Sequence, residues 1–366
     1  MDYSARLALL RKSLAGKKLD AILVSRPENR RYLSGYTATD HGISETSGLL
    51  LITRKGSTFL LTDFRYREQA EREARGFKVL LNTKGLFHQL KSLLPDLGIT
   101  SLGFESDYTL HSTADKLFGL GRDLAIKMIP LNGLVEKMRL VKSKDEIECI
   151  RQAVHLNEQV FQKTFKQLSG RETEIELALE LGAEMRRRGA EREGFDTIVA
   201  SGNTSSLPHA VPGRNVLAEN APVVIDMGLV LNGYCSDMTR SFCYGTADTR
   251  YLEIHRIVRR AQLAAISAVR SGVSAGSVDM AARKIIVDAG YGKHFGHAVG
   301  HGVGLAVHEE PRISAKSRKK LKAGMVITIE PGIYIPGWGG IRLEDMVVVR
   351  EDGCENLNTD TTWLDI

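Results

Sequence analysis

An Asn-Gly pair between two apolar runs constrains this fold more than any other feature. In "APVVIDMGLVLNGYCSDMTRSF", residues 221–242, Asn232-Gly233 has the composition of a two-residue type I′ hairpin turn. That turn pairs Leu231 with Tyr234 and sets Gly228 opposite Asp237. Residues that oppose each other, or lie two apart on a strand, point to the same side. Asp226 and Asp237 therefore share a face as diagonal neighbours, roughly 7–8 Å apart at the backbone. Around them lie Val223, Val224, Ile225 and Phe242. Two unpaired acids in such surroundings are costly to ionise and tend to hold protons. Read alone, the commoner arrangement pairs Asp237 with Arg240 and leaves Asp226 at a strand end.

A second acid pair lies in "GMVITIEPGIYIPGWGGIRLEDMVVV", residues 324–349. A five-residue Pro/Gly-rich loop at 336–340 would pair Ile335 with Ile341 and put Gly332 opposite Glu344. Glu330 then falls on the face of Glu344, and Arg342 shares that face and can orient the Glu344 carboxylate. Pro331-Gly332 distorts this strand, so its register is set less firmly than in the first hairpin.

The third feature is "HAVGHGVGLAVHEEP", residues 297–311. It holds three of the ten histidines, interleaved with Gly300, Gly302 and Gly304. A helix would bring His297 and His301 onto one face, but each glycine costs it roughly 1 kcal/mol. Extended, closely packed backbone suits the glycines better. Four carboxylates and an imidazole form a donor set for Mn²⁺, or less selectively Co²⁺, Zn²⁺ or Fe²⁺. Four negative charges in one pocket call for about two divalent ions, which can activate a shared water.

The remaining chain supplies the frame. Residues 1–131 alternate short apolar strands with helical pieces at 86–95 and 111–120, an α/β pattern, with a hairpin turn at Lys55-Gly56. From 132 to 366 the pattern is α+β. Capping boxes at Ser143/Glu146 and Thr173/Glu176 open two helices, and two more are expected at 250–270 and 277–289. Strands are expected at 195–201, 222–230, 234–243, 325–335 and 341–350. No phosphate-cradling glycine motif occurs. The 366 residues are 43% hydrophobic, enough for two cores, and the net charge of +6 is spread among acids. The runs Arg186–Arg188 and Arg318–Lys320 read as solvated faces, with no nucleic-acid pattern beside them. Four scattered cysteines imply a reduced, cytoplasmic protein, and no apolar run reaches the ~20 residues of a membrane span.

Together "FDTIVASGNTSSLPHAVPG", "VIDMGLVLNGYCSDMTRSF", "HAVGHGVGLAVHEEP", "TIEPGIYIPG" and "GGIRLEDMVVV" resemble the pita-bread metallopeptidases, the group of aminopeptidase P, prolidase and methionine aminopeptidase. The resemblance implies a pita-bread C-terminal domain behind a smaller α/β N-terminal domain. It implies metal ligands at Asp226, Asp237, His301, Glu330 and Glu344, holding two divalent ions. Its other site histidines fall on His209, His297 and His308. Glu330 becomes the general base, His308 and His209 donors to the substrate carbonyl, and His297 a wall of the proline pocket. Tyr334 and Arg342 become supports that fix the acids. The N-terminal pieces "PENRRYLSGY", "GLLLIT" and "LLTDFRYREQA" point to the aminopeptidase P and prolidase branch, acting on proline-containing peptides as a homodimer. The reading leans to an Xaa-Pro aminopeptidase, because no cationic clamp for a dipeptide carboxylate is evident. Arg312, Arg318 or an N-terminal arginine would supply one in an Xaa-Pro dipeptidase, and a silent peptide-binding module is the remote alternative. The charged Arg192-Glu193 and the tail "LNTDTTWLDI" depart from the family pattern. His41, His88, His111, His155, His255 and His294 are read as structural or surface residues.

Overall fold

A computed structural model describes all 366 residues. They form two compact units, Met1–Arg139 and Leu140–Ile366. No helix is long and apolar enough to cross a membrane.

The first unit runs α1 (Tyr3–Gly16), β1 (Ala21–Val24), α2 (Pro27–Ser34), β2 (Leu49–Thr53), β3 (Thr58–Thr62), α3 (Arg67–Glu73), β4 (Lys78–Leu81), α4 (Leu86–Asp96), β5 (Ser101–Glu105), α5 (His111–Leu124), β6 (Lys127–Leu131) and α6 (Glu136–Arg139). Its strands make one mixed sheet in the order β4-β3-β2-β1-β5-β6. Leu23, Leu51 and Leu61 pack with Leu90, Leu94, Leu117 and Leu120 of α4 and α5. The alternate residues Ile22, Leu50 and Leu60 are fully buried as well, so both faces of the sheet are covered. The unit continues past the expected boundary at 131, because α6 is bonded back into it. Arg139 Nη1 donates to Asn29 Oδ1 (2.7 Å), and Asn29 Nδ2 donates to Glu136 Oε1 (2.6 Å).

The second unit is built twice over from a helix pair and an antiparallel hairpin. The first half contains α7 (Lys144–Lys166), α8 (Glu174–Arg187), β7 (Arg192–Glu193), β8 (Ile198–Ser201), β9 (Ala221–Met227), β10 (Leu229–Leu231), β11 (Tyr234–Cys235) and β12 (Met238–Tyr244). Both capping boxes are formed, at Ser143/Glu146 and Thr173/Glu176. Val160, Phe161, Leu177 and Leu181 pack on Val223, Ile225 and Phe242. Arg192 and Glu193 pair with Val230 and Leu229, so this departure from the family pattern extends a sheet.

The second half contains α9 (Thr249–Ala268), α10 (Ala275–Asp288), β13 (Gly300–Gly302), β14 (Glu309–Ile313), β15 (Val326–Ile329), β16 (Gly332–Ile335), β17 (Gly339–Arg342), β18 (Asp345–Val349) and β19 (Cys354–Asn356). Ile254, Val258, Val278 and Ile286 face Ile327, Ile329, Ile341 and Val347 in its core. The two expected long strands are each interrupted, at Glu330-Pro331 and at Leu343-Glu344. Proline lacks the N–H that an unbroken ladder would use.

The tail packs against the first half. Trp363 meets Phe165 and Phe242 at ring separations of 5.2 and 5.8 Å. Glu158 accepts from the backbone N–H groups of Thr359 (2.7 Å) and Asp360 (2.9 Å). Replacing Trp363 by Ala is expected to lower the unfolding free energy by about 3 kcal/mol. Urea titration checks this, and an unchanged midpoint would mean that the tail contributes nothing.

Candidate metal centre

The first hairpin has the expected register. Asn232 and Gly233 both take positive φ, 51° and 84°. Leu231 pairs with Tyr234, Met227 with Met238 and Asp226 with Thr239. Asp226 and Asp237 thus emerge on one face. Arg240 does not pair with Asp237. It is fully buried, with Nη2 on Asp345 Oδ1 (3.1 Å) and Nη1 on the Glu344 carbonyl (2.7 Å).

The second hairpin differs in register. Its loop is three residues, 336–338, so Ile335 pairs with Gly339 and Gly332 with Arg342 rather than Glu344. The flanking ladder pairs Ile329 with Asp345 in the same phase, which sets Glu330 directly across from Glu344. The shift is two residues. Because side chains alternate with period two, both acids keep the face that the five-residue loop predicted.

The two hairpins meet along β12, β17 and the residues after them. The Glu344 N–H donates to the Thr239 carbonyl (3.1 Å), and Ser241 Oγ donates to the Arg342 carbonyl (2.8 Å). This seam brings the acids of both halves together. Asp237, His301 and Glu344 place ligand atoms within 4.8 Å of one another.

His301 sits between Gly300 and Gly302 on β13, in extended backbone. A Cβ on Gly300 would stand 2.0 Å from the Thr328 carbonyl oxygen, and one on Gly302 2.2 Å from that of Glu310. Only glycine lets β13 lie this close to its neighbours, which answers why the histidines are interleaved with it. His301 Nδ1 lies 3.1 Å from the Gly302 carbonyl, which can only accept, so Nδ1 carries the proton. Nε2 then turns a bare lone pair toward Glu330 Oε1 (3.4 Å) and Asp237 Oδ2 (3.6 Å). Burial, and next the neighbouring His308, push the His301 pKa down to about 4, which keeps the ring neutral.

The acids are displaced the other way. Burial comes first in raising Asp237 and Glu344 well above the usual carboxylate range; repulsion follows, from Asp226 and Glu330 on Asp237 and from Asp237, Glu330 and Asp226 on Glu344. Glu330 is pushed up to about 8 by burial. Asp226 Oδ1 and Glu344 Oε1 are buried with no hydrogen-bond partner. A lone pair facing two carboxylates, beside two unmet carboxylate oxygens, is the environment of a hard divalent cation.

Arg342 binds a different acid from the one expected. Nη2 donates to Asp226 Oδ2 (2.6 Å), not to Glu344. Nε donates to Thr239 Oγ1 (3.0 Å), which in turn donates to Glu344 Oε2 (2.6 Å). Nη1 donates to Tyr334 Oη (2.8 Å) and to the Pro208 carbonyl (3.2 Å). Tyr334 Oη lies 3.0 Å from His297 Nε2, and His297 Nδ1 lies 2.7 Å from the Ala298 carbonyl. The carbonyl requires the proton on Nδ1, so Tyr334 donates to Nε2 and both ring nitrogens are engaged. Burial lowers the His297 pKa to about 4.

The expected site histidines gather at the same place. The His308 ring lies 4.4 Å from the His301 ring, edge to face. His209 is exposed, yet close enough for its charge to disfavour protonation of both His297 and His308.

The sequence reading missed three supports. Thr239 lies two residues after Asp237 and Thr328 two before Glu330, so strand alternation would have found both. Thr328 Oγ1 accepts from the His301 N–H (3.1 Å). The third is Asp279–Arg283 on α10. Asp279 is fully buried, accepts from both Nε and Nη2 of Arg283 (2.7 and 2.9 Å) and accepts from the Val299 N–H (3.1 Å). Arg283 Nη2 reaches the His297 carbonyl (2.7 Å). Its i, i+4 spacing reads in sequence as an ordinary surface pair.

This architecture has known relatives. The profile of Metallopeptidase family M24 matches residues 148–351, and that of the Creatinase/Prolidase N-terminal domain matches residues 6–141. The Xaa-Pro dipeptidase of Pyrococcus furiosus is 34% identical over 352 residues, covering 96% of this chain and 97% of that protein. A solved Xaa-Pro dipeptidase from Bacillus anthracis superposes with a TM-score of 0.91 at 35% identity, covering 98% of each chain. A solved X-Pro aminopeptidase from Thermotoga maritima gives 0.85 at 37% identity, covering 96% of this chain and 97% of that one. The chain belongs to metallopeptidase family M24, with the pita-bread catalytic unit preceded by a creatinase/prolidase-type N-terminal unit.

Replacing Gly302 by Ala is expected to separate β13 from β14 and release His301. Thermal unfolding should fall by several degrees and divalent-cation binding should weaken. Wild-type values for both would show that the close approach at Glu310 is dispensable.

Proposed function

We propose that this chain is a two-metal Xaa-Pro dipeptidase. One observation carries the metal-dependent part: a neutral His301 turns its Nε2 lone pair toward Asp237 and Glu330, beside unmet oxygens on Asp226 and Glu344. Asp226, Asp237, His301, Glu330 and Glu344 would hold two divalent cations, with Mn²⁺ the best match to four hard oxygens and one imidazole. When bound, such ions polarise a scissile carbonyl and acidify the attacking water. Glu330 takes the proton of that water and passes it to the leaving proline nitrogen. His308 and His209 donate to the carbonyl oxygen as negative charge develops on it. His297, with both nitrogens engaged, presents its ring as a wall for the proline. Arg342 and Tyr334 hold Asp226 and His297 in place. Proline specificity is supported by the relatives, whose names specify Xaa-Pro substrates.

The preference for a dipeptide rests on Arg312. In the sequence no clamp for a free carboxylate stood out. In the structure Arg312 precedes Ile313, the partner of Gly300, and so lies on the strand that pairs, through a register shift, with the one carrying His301. It is exposed. A guanidinium there suits the carboxylate of a bound Xaa-Pro dipeptide. The resemblance to the Thermotoga maritima aminopeptidase favours the second reading, removal of Xaa from longer peptides.

Hydrolysis of Ala-Pro and Ala-Pro-Ala with Mn²⁺ decides between them. The dipeptide is expected to be cleaved and the tripeptide spared. Arg312→Ala should raise KM for Ala-Pro by about 10- to 100-fold, the equivalent of one charged hydrogen bond. Comparable kcat/KM for both peptides would replace the dipeptidase reading with the aminopeptidase one.

Cation binding is also expected to release protons. Without a cation, Glu330 holds its proton up to about pH 8, and Asp237 and Glu344 are raised as well. At pH 7 a divalent ion must displace protons to bind, and the number displaced falls as pH rises past about 8. Titration calorimetry of Mn²⁺ in buffers of different ionisation enthalpy measures this. Binding without proton release at pH 7 would contradict the raised acids.

A further inference from the structure

A buried ion pair lies behind the loop that carries His308. Lys142 Nζ stands 3.1 Å from Glu309 Oε2, and the two side chains are only 2% and 8% exposed. Lysine is seldom buried so completely, and dehydrating both charges offsets most of their attraction. Stability alone gives little reason for such a pair.

Its surroundings suggest another reason. Glu309 directly follows His308. Its second carboxylate oxygen, Oε1, accepts from the Ala306 N–H (3.1 Å). The same carboxylate lies over Gly304, where a Cβ would come within 2.7 Å of Oε1 and 2.8 Å of Oε2. The Gly304 N–H donates to the Ala306 carbonyl (3.0 Å), and the Gly304 carbonyl accepts from the Cys235 N–H (2.8 Å). The bend between β13 and β14 is therefore folded around one carboxylate. Lys142 is fixed through its own N–H, which donates to the Gly324 carbonyl (2.9 Å), and it precedes Ser143, the N-cap of α7. The lysine holds the Glu309 carboxylate aimed into the bend.

We infer that Lys142 and Glu309 form a positioning pair that holds His308 against His301 in its working orientation. Neither touches the substrate, and the pair acts through the 303–308 bend. This inference rests on the role given to His308 in the proposed hydrolysis.

The test is a double-mutant cycle on Ala-Pro hydrolysis with Mn²⁺, joined to ¹⁵N-histidine NMR of the whole chain. Lys142→Met should lower kcat by about 10- to 100-fold, the order expected for a misplacement near 1 Å, with KM changed less than about threefold. In a His308→Ala background the same substitution should cost less than about twofold. The His308 imidazole signals should shift or broaden in Lys142→Met, while bound Mn²⁺ stays at the wild-type level. Gly304→Ala, which displaces the carboxylate without touching either charge, should reproduce the signature. Where Lys142→Met does not fold, Gly304→Ala and the neutral double variant Lys142→Met/Glu309→Gln carry the same measurements. Equal loss of kcat in both backgrounds, or unchanged His308 signals, would overturn the inference. Absence of Ala-Pro hydrolysis by the wild type would sink the functional reading instead, and the NMR comparison would still decide whether the pair sets His308.

Discussion

Four carboxylates share one partly enclosed space with a neutral imidazole, and much of the C-terminal unit is organised to make that tolerable. Like charges at this separation and burial cannot all stay ionised unaided. The chain meets part of the demand itself. Arg342 sits on Asp226, and the Thr239 hydroxyl on Glu344. Asp226 Oδ1, Glu344 Oε1 and the Nε2 lone pair of His301 are left over. What remains unmet is a set of oxygen and nitrogen lone pairs that suits a divalent cation able to displace the protons the acids hold.

This constraint explains the duplicated architecture. Each half contributes a helix pair that buries one face of a hairpin, and each hairpin brings two acids to the seam. The halves are stitched through Thr239, Ser241, Arg342 and Glu344 by backbone and hydroxyl hydrogen bonds. Arg342 comes from the second hairpin but neutralises an acid of the first. Neither half carries a balanced charge set alone, so assembling the seam and assembling the site are one event. Arg240, fully buried on the Glu344 carbonyl and on Asp345, reinforces the same seam from behind.

The parts of the site that follow from local rules were legible in the sequence. Asn232-Gly233 admits one tight turn, and that turn fixed the register of Asp226 and Asp237. The alternating glycines around His301 favoured extended backbone over a helix. At the second hairpin the loop was misjudged by two residues, because Pro and Gly at 336–340 accommodate several turn lengths. The assignment of Glu330 and Glu344 to one face survived, since a two-residue slip preserves side-chain direction, whereas a one-residue slip would have reversed it. What stayed hidden was non-local. Arg342 was matched to the acid nearest in sequence and binds one on another hairpin. Asp279–Arg283 has the i, i+4 spacing of a surface helix pair, yet it grips the backbone on either side of His297, at the Phe295 carbonyl and the Val299 N–H.

The histidines divide according to what their second nitrogen can do. In His297 both nitrogens are engaged, by the Ala298 carbonyl and by Tyr334, so the ring can offer only its faces. In His301 the Gly302 carbonyl fixes one nitrogen and leaves the other bare toward the acids. Burial lowers the pKa of both to about 4, so neither adds positive charge that would compete with a cation. His308 and His209 are the exposed pair, each with room to donate toward a substrate oxygen. In the proposed function one residue type would supply wall, ligand and donor, with hydrogen bonding deciding which. A site built this way depends on the backbone carbonyls around it as much as on the side chains themselves, which is why glycine recurs where those carbonyls must come close.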